Sequence, residues 1–374
     1  MKKILLGSTA IVAAGMIASV PSADAASKMK LGVGGYMEQW IGFTSGDDGV
    51  GQDYSGINIV SDPEIFFKGK TKLDNGLEVG VNVQLEGTQN GDQIDEQYMF
   101  INGGFGQIII GDENSAQYKM HYAPSDFGIG MNSGDNTVWN KPVEDAEGDS
   151  ISMGSHYRSP FGATAVEPDA VNDSAKISYF TPRVSGFQLG LSYAPDAAQD
   201  GNALPNRDAV NSDYIMVGAN FKQKMGGMSV GISGGYGTVT DAAEGGTEPE
   251  ATSFGIKMGM GGVSAGVSYA NFSDSGDNDQ EGINAGVAYS SGPMGVSLAY
   301  YHGEKDGNNG SAATLDGQAE RDIIHLSAKY AMGPGVTFAG TLGHAVYSSD
   351  DADIDNSVDE SASTYVVMGL KVSF

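Results

Sequence analysis

One-for-one alternation of apolar and polar side chains runs through this chain, and it decides the fold class before any other feature does. In Leu77-Glu-Val-Gly-Val-Asn-Val-Gln-Leu85 every odd position is apolar and every even one is polar or glycine. A period of two puts the two sets on opposite faces of an extended strand and fits no helix. The pattern recurs in Phe187, Leu189, Leu191 and Tyr193, in Phe254, Ile256, Met258 and Met260, in Ile283, Ala285, Val287 and Tyr289, and in Val366, Met368, Leu370, Val372 and Phe374.

The connections between such stretches alternate in length. Short glycine-containing links fall at 74–76, 104–106, 184–186, 225–227, 261–262, 292–294 and 332–335. Long, polar, acidic ones fall at 46–56, 89–93, 115–173, 196–211, 240–249, 273–279, 305–319 and 348–361. Seven short links and eight long ones separate sixteen strands, expected at 28–44, 57–73, 77–88, 94–103, 107–114, 174–183, 187–195, 212–224, 228–239, 250–260, 263–272, 280–291, 295–304, 320–331, 335–347 and 362–374. An even count returns both chain ends to the short-link side. Strands of about 9–13 residues also match a tilted crossing of a hydrocarbon layer. The reading is all-β: a 16-stranded antiparallel transmembrane β-barrel. A β-sandwich has no reason to gather every long loop at one end, and a solenoid needs a fixed repeat that the chain lacks.

The N-terminus fits export. Lys2 and Lys3 precede an apolar stretch from Ile4 to Val20, and Ala23-Asp24-Ala25 is a small-x-small cleavage pattern. Residues 1–25 are therefore expected to be a signal peptide and 26–374 the barrel domain. The formal charge is −27, from 47 acidic and 20 basic residues. Loss of Lys2, Lys3 and Asp24 makes it one unit more negative, −28. Such a charge excludes nucleic acid as a partner. The absence of cysteine removes disulfides, thiolate metal sites and a cysteine nucleophile. Tyr193, Tyr269, Tyr289, Tyr300, Tyr330 and Tyr347 lie near strand ends, where an aromatic belt meets lipid headgroups.

Three stretches carry a family resemblance: Leu31-Gly-Val-Gly-Gly-Tyr-Met-Glu-Gln-Trp40, Phe67-Lys-Gly-Lys-Thr-Lys-Leu-Asp-Asn-Gly-Leu77 and Lys176-Ile-Ser-Tyr-Phe-Thr-Pro-Arg-Val-Ser-Gly-Phe-Gln188. The mature chain resembles the Gram-negative general porins, those of alphaproteobacteria in particular. The terminal Phe374 is likewise the usual ending of outer-membrane barrels. The resemblance implies a homotrimer in the outer membrane whose third external loop folds into each barrel and narrows a pore. The longest link, about 115–173, stands where that constriction loop would be.

A pore needs a polar lumen, a narrow point and a field rather than a catalytic group. On the expected second strand, Lys68, Lys70 and Lys72 share a face with Phe66, opposite Ile65, Phe67 and Leu73. Lysine is costly at mid-depth in lipid, so this face is expected to line the lumen, with Lys30 on the same wall. Asp126, Asp135, Glu144, Asp145, Glu147 and Asp149 on the long loop are the candidate acidic counterparts, giving a transverse field across the constriction.

Other motifs fall away. Gly227-Met-Ser-Val-Gly231, Gly231-Ile-Ser-Gly-Gly235 and Gly262-Val-Ser-Ala-Gly266 match a nucleophile elbow, but each lies in a strand or hairpin, not between strand and helix. The five histidines show no ligand spacing. No cofactor and no enzyme activity are expected. Acids around 350–355 and 274–279 resemble calcium loops loosely, which leaves Ca2+ at external loop acids, bridging to lipopolysaccharide, as the one metal candidate. The expected function is passive diffusion of small hydrophilic solutes and ions, with cation preference. A substrate-selective channel for a sugar, phosphate or metabolite is the first alternative and an outer-membrane enzyme the second. A purely structural envelope barrel is the third.

Overall fold

The computed structural model describes residues 29–46, 48, 53–88, 93–129, 138–141, 166–168, 171–199, 203–273, 279–306, 318–349 and 360–374. The expected residues 1–25 of the signal peptide lie outside these. The described strands are β1 (Lys30–Gly46), β2 (Ile57–Lys72), β3 (Glu78–Glu86), β4 (Ile94–Gly103), β5 (Gly106–Asp112), β6 (Ala175–Phe180), β7 (Phe187–Ala194) and β8 (Ser212–Met225). They continue with β9 (Met228–Asp241), β10 (Glu250–Met260), β11 (Val263–Ser273), β12 (Gln280–Ser291), β13 (Met294–Asp306), β14 (Gln318–Gly333), β15 (Val336–Ser349) and β16 (Glu360–Ser373). Each pairs antiparallel with its neighbours in the chain, and β1 pairs with β16, so all sixteen form a closed barrel without a free edge. Closure leaves no row of unpaired backbone groups facing lipid.

The short links are tight because glycine permits them. Gly226 and Gly227 (φ 55° and 87°) and Gly261 and Gly262 (φ 59° and 88°) supply the paired left-handed residues of a two-residue hairpin whose twist matches the strands. The largest shortfall from an expected end is at β6, which finishes at Phe180 rather than 183. Pro182 follows, and a residue without an N–H cannot donate to the ladder.

Alternation sorts the two faces. Outward positions such as Leu189, Leu191, Val267, Val287, Leu298, Leu326 and Leu342 are large, apolar and exposed, as a lipid-facing band requires. Tyrosines fringe this band. At the loop-side rim Tyr193 donates to Asp213 (2.6 Å), Tyr236 to Glu250 (2.8 Å) and Tyr269 to Glu281 (2.7 Å), while Tyr300 donates to Asp322. Tyr289 and Tyr330 stand exposed near the opposite rim. Tyr347 departs from expectation: it is wholly buried, not in the belt. On β15 the outward face carries Phe338, Leu342 and Val346, so Tyr347 shares the inward face with Thr341 and Ala345.

Candidate functional site

Inward faces carry small polar side chains. Ser178, Ser192, Asn220, Ser233, Ser253, Ser268, Asn284, Ser297 and Ser327 are all buried. Facing an open channel they would be wet; what covers much of this wall is the segment that follows β5.

That segment enters the barrel. Ser115 caps a single helical turn, α1 (Ala116–Lys119), its Oγ accepting from the Tyr118 N–H. The turn packs against β7, β8 and β9. From there the chain hands its backbone N–H groups in succession to hydroxyls on the wall. Ala116 donates to Ser192 on β7 (2.8 Å), Tyr122 to Ser233 on β9 (2.8 Å), Phe127 to Ser297 on β13 (3.1 Å) and Ile129 to Thr341 on β15 (3.1 Å). Further along, Lys141 donates to Ser363 on β16 (3.1 Å), and Thr44 on β1 donates to the Trp139 carbonyl (2.7 Å). An irregular segment has no ladder of its own, so its buried backbone groups need such partners.

Glycine clears the track. A Cβ on Gly255 would lie 1.8 Å from the Tyr122 carbonyl oxygen, one on Gly218 2.4 Å from that of Ala116, and one on Gly42 2.3 Å from the Trp139 ring. Part of the large glycine content, 56 residues, thus serves close approach of the loop as well as the turns.

Asp126 is an anchor. One carboxylate oxygen lies 3.1 Å from Nδ1 of His325, and the Ser297 hydroxyl donates to the other at 3.1 Å. Nε2 of His325 lies 2.7 Å from the Tyr365 hydroxyl. The Asp126 and His325 side chains are 4% and 0% exposed. Burial penalises the carboxylate, but the imidazole, with Ser327 and Ser297, outweighs it and holds the carboxyl below its ordinary range. Asp126 therefore faces the wall and fixes the loop there.

Both roots of the loop meet at one ammonium. Lys176 on β6 donates to the carbonyls of Glu113, Asn172 (2.9 Å) and Ser174 (2.6 Å), which tie the start and the end of the loop to the same strand. Beside it, burial first and then the charge of Asp95 push the Asp173 carboxyl up to about 7. Asp135, Glu144, Asp145, Glu147 and Asp149 lie outside the described residues.

The lysines form the opposite wall. Lys30 pairs in register with Lys70, and Lys68 with Gly32 on one side and Asn82 on the other. Lys30, Lys68, Lys70 and Lys72 are all exposed on the face opposite Ile65 and Phe67. Lys68 Nζ lies over the Phe66 ring, 3.8 Å from its centroid, and Lys70 pairs with Glu78 at 3.0 Å. The ladder starts at the turn-side rim, where Lys72 is the last residue of β2, and climbs toward mid-height. Lys222, Lys224, Lys257 and Lys329 share the inward faces of β8, β10 and β14 and also lie in the turn-side half. Sequence reasoning missed them, although Lys222 and Lys224 alternate with Phe221, Gln223 and Met225 as plainly as the β2 lysines do with their neighbours.

A barrel with a polar inner face and a loop strapped along its inside invites comparison with known proteins. The Gram-negative porin family profile matches residues 7–352. This chain belongs to that family. Its place is the bacterial outer membrane, and porins are channels rather than enzymes. Solved porins share the fold: an anion-selective porin from Comamonas acidovorans superposes with a TM-score of 0.58 at 16% identity, covering 93% of this chain and 100% of the other. OmpT of Vibrio cholerae in its trimer form gives 0.57 at 12% identity, covering 94% and 100%. Among sequences, an uncharacterized protein of Rickettsia bellii is 22% identical over 355 residues, 73% of this porin and 80% of the relative.

Proposed function

We propose that this porin is a water-filled homotrimeric pore for passive diffusion of small hydrophilic solutes and ions. The observation that carries the reading is the asymmetric lumen. A loop is pinned by hydroxyls along the β7–β16 wall and at the loop-side end of β1, while the lysine-bearing turn-side half of β1 and β2 stays exposed. Such a gap has polar walls. Its lysines would face whichever loop acids reach the passage, and that transverse field would favour dipolar solutes over apolar ones. The trimer is supported by the trimer form of the OmpT neighbour.

Cation preference is proposed from the chain's charge of −27 and its acidic external loops, through which solutes pass first. A second reading, anion preference, is favoured by the exposed lysines of the inner half and by the anion-selective name of one structural neighbour. The external acids would contact lipopolysaccharide through bridging Ca2+. Among the described residues, however, no group of three or more histidines and carboxylates is arranged to hold a metal.

Swelling of proteoliposomes in isosmotic sugars tests the diffusion reading. Rapid swelling with a monosaccharide and slower swelling with a trisaccharide is expected. No swelling with any sugar would overturn it. The sign of the reversal potential in a KCl gradient decides between the two selectivities.

A further inference from the structure

The lysines of the turn-side half are not all used in the same way. Lys70 has Glu78 at 3.0 Å, and Lys371 has Glu38. Lys222 and Lys257 have no such partner among the described residues, yet they are near neighbours. In register Lys222 lies opposite Gly231, and Gly231 lies opposite Lys257. The two therefore flank one glycine at the same height, their Cα atoms about 10 Å apart across two strand spacings. Their charges act on each other, and Lys257 is half-buried while Lys222 is exposed to the lumen. Like charges so placed are mutually destabilising unless something of opposite sign sits between them.

Gly231 contributes no side chain, so the backbone between them is bare. Over it lies the loop residue Tyr122: a Cβ on Gly231 would be 3.1 Å from Cε2 of that ring and 3.5 Å from Cζ, the carbon that carries the hydroxyl. The Tyr122 backbone is itself fixed to Ser233. Two long flexible lysine side chains thus flank a tyrosine ring packed on the glycine between them, and all three carry donors, with Lys224 two residues nearer the rim on the same face.

We propose that these ammonium groups and the Tyr122 hydroxyl form a binding subsite for small multivalent oxyanions of the phosphate class, open toward the turn side of the barrel. The proposal rests on the channel reading above. Two ammonium groups match the charge of a phosphate dianion, and ammonium and phenol hydrogens match its acceptor oxygens. An anion arriving from the loop side must first pass the acidic loops, so the subsite fills more readily from the other side.

The test uses the full-length protein in a planar bilayer in KCl at pH 7, inserted from one chamber. Inorganic phosphate is then added to each chamber in turn. The expected result is a saturable reduction of unitary current that needs several-fold less phosphate on the turn side than on the loop side. In Lys222→Gln/Lys257→Gln the half-saturating phosphate concentration should rise at least tenfold. A second variant on the opposite wall, Lys68→Gln/Lys70→Gln, removes the same charge from the lumen without touching the subsite and should raise it by no more than about threefold. Conductance in KCl alone shows that each variant has folded, and Lys222→Gln on its own serves if the double variant has not. Conductance without a saturable phosphate effect, or an effect equal in all variants, overturns the subsite and leaves the channel reading standing. No conductance at all overturns both.

Discussion

Replacing Ser233 and Ser297 by Ala and Thr341 by Val should release the loop without opening the barrel. These hydroxyls accept the N–H groups of Tyr122, Phe127 and Ile129 at 2.8, 3.1 and 3.1 Å, and the three residues that carry them are nearly inaccessible. A net hydrogen bond contributes about 1 kcal/mol, and a buried N–H left without any partner costs up to about 3 kcal/mol. Three lost anchors therefore weaken docking by roughly 3 kcal/mol if water reaches each vacated position and by roughly 9 kcal/mol if it does not. Even the lower figure shifts the docked-to-undocked ratio by about two orders of magnitude, since about 1.4 kcal/mol is tenfold. The strand ladders are untouched, because each hydroxyl is a side chain on an inward face. The assay is twofold: fluctuation of the open-channel current, and cleavage within residues 116–129 by a protease added from the loop side. Increased current noise and faster cleavage at an unchanged barrel melting temperature are expected. Wild-type noise with wild-type protection would refute the claim that wall hydroxyls hold the loop.

Three further outcomes follow from the same geometry. Lys176→Met removes the ammonium that joins three carbonyls at the two roots of the loop, so it should lower the melting temperature and speed hydrogen exchange at residues 171–176, as thermal scans and exchange would report. Asp173 has a folded-state pKa of about 7, above its ordinary 3.8, so the folded state binds the proton more tightly. Its contribution favours the folded loop root at acid pH and is lost as pH rises from about 4 to about 7, flattening beyond; Asp173→Asn should abolish that slope in exchange measured between pH 5 and 8. Gly255→Val places a Cβ where the Tyr122 carbonyl oxygen is 1.8 Å away and should push the loop off its wall toward the passage, which unitary conductance would record as a decrease.

The strands were legible because their signal is local. Alternation and glycine links name each strand, and alternating link length fixes which end of the barrel each link occupies, so the count of sixteen needed no tertiary information. The lysine wall was legible for the same reason: Lys68, Lys70 and Lys72 lie on one strand. Asp126 was not, because its partner His325 is 199 residues away and its burial depends on a loop path that no period encodes. The serines of the elbow-like strings show the same limit. Ser233 stands in a string placed within a strand, as it is, but its role as acceptor for the Tyr122 N–H exists only once the loop lies over it. Tyr347 was misplaced by position alone; continuing the outward series Phe338, Leu342, Val346 would have put it inside.

The central claim is a continuous aqueous passage between the pinned loop and the lysine wall, and unitary conductance of the purified protein across a planar bilayer tests it most directly. Stepwise insertions grouped in threes are predicted, with a conductance rising in proportion to bulk KCl concentration, as expected for ions moving through water. Absence of steps, or a conductance that saturates at low KCl in the absence of any added multivalent anion, would contradict it.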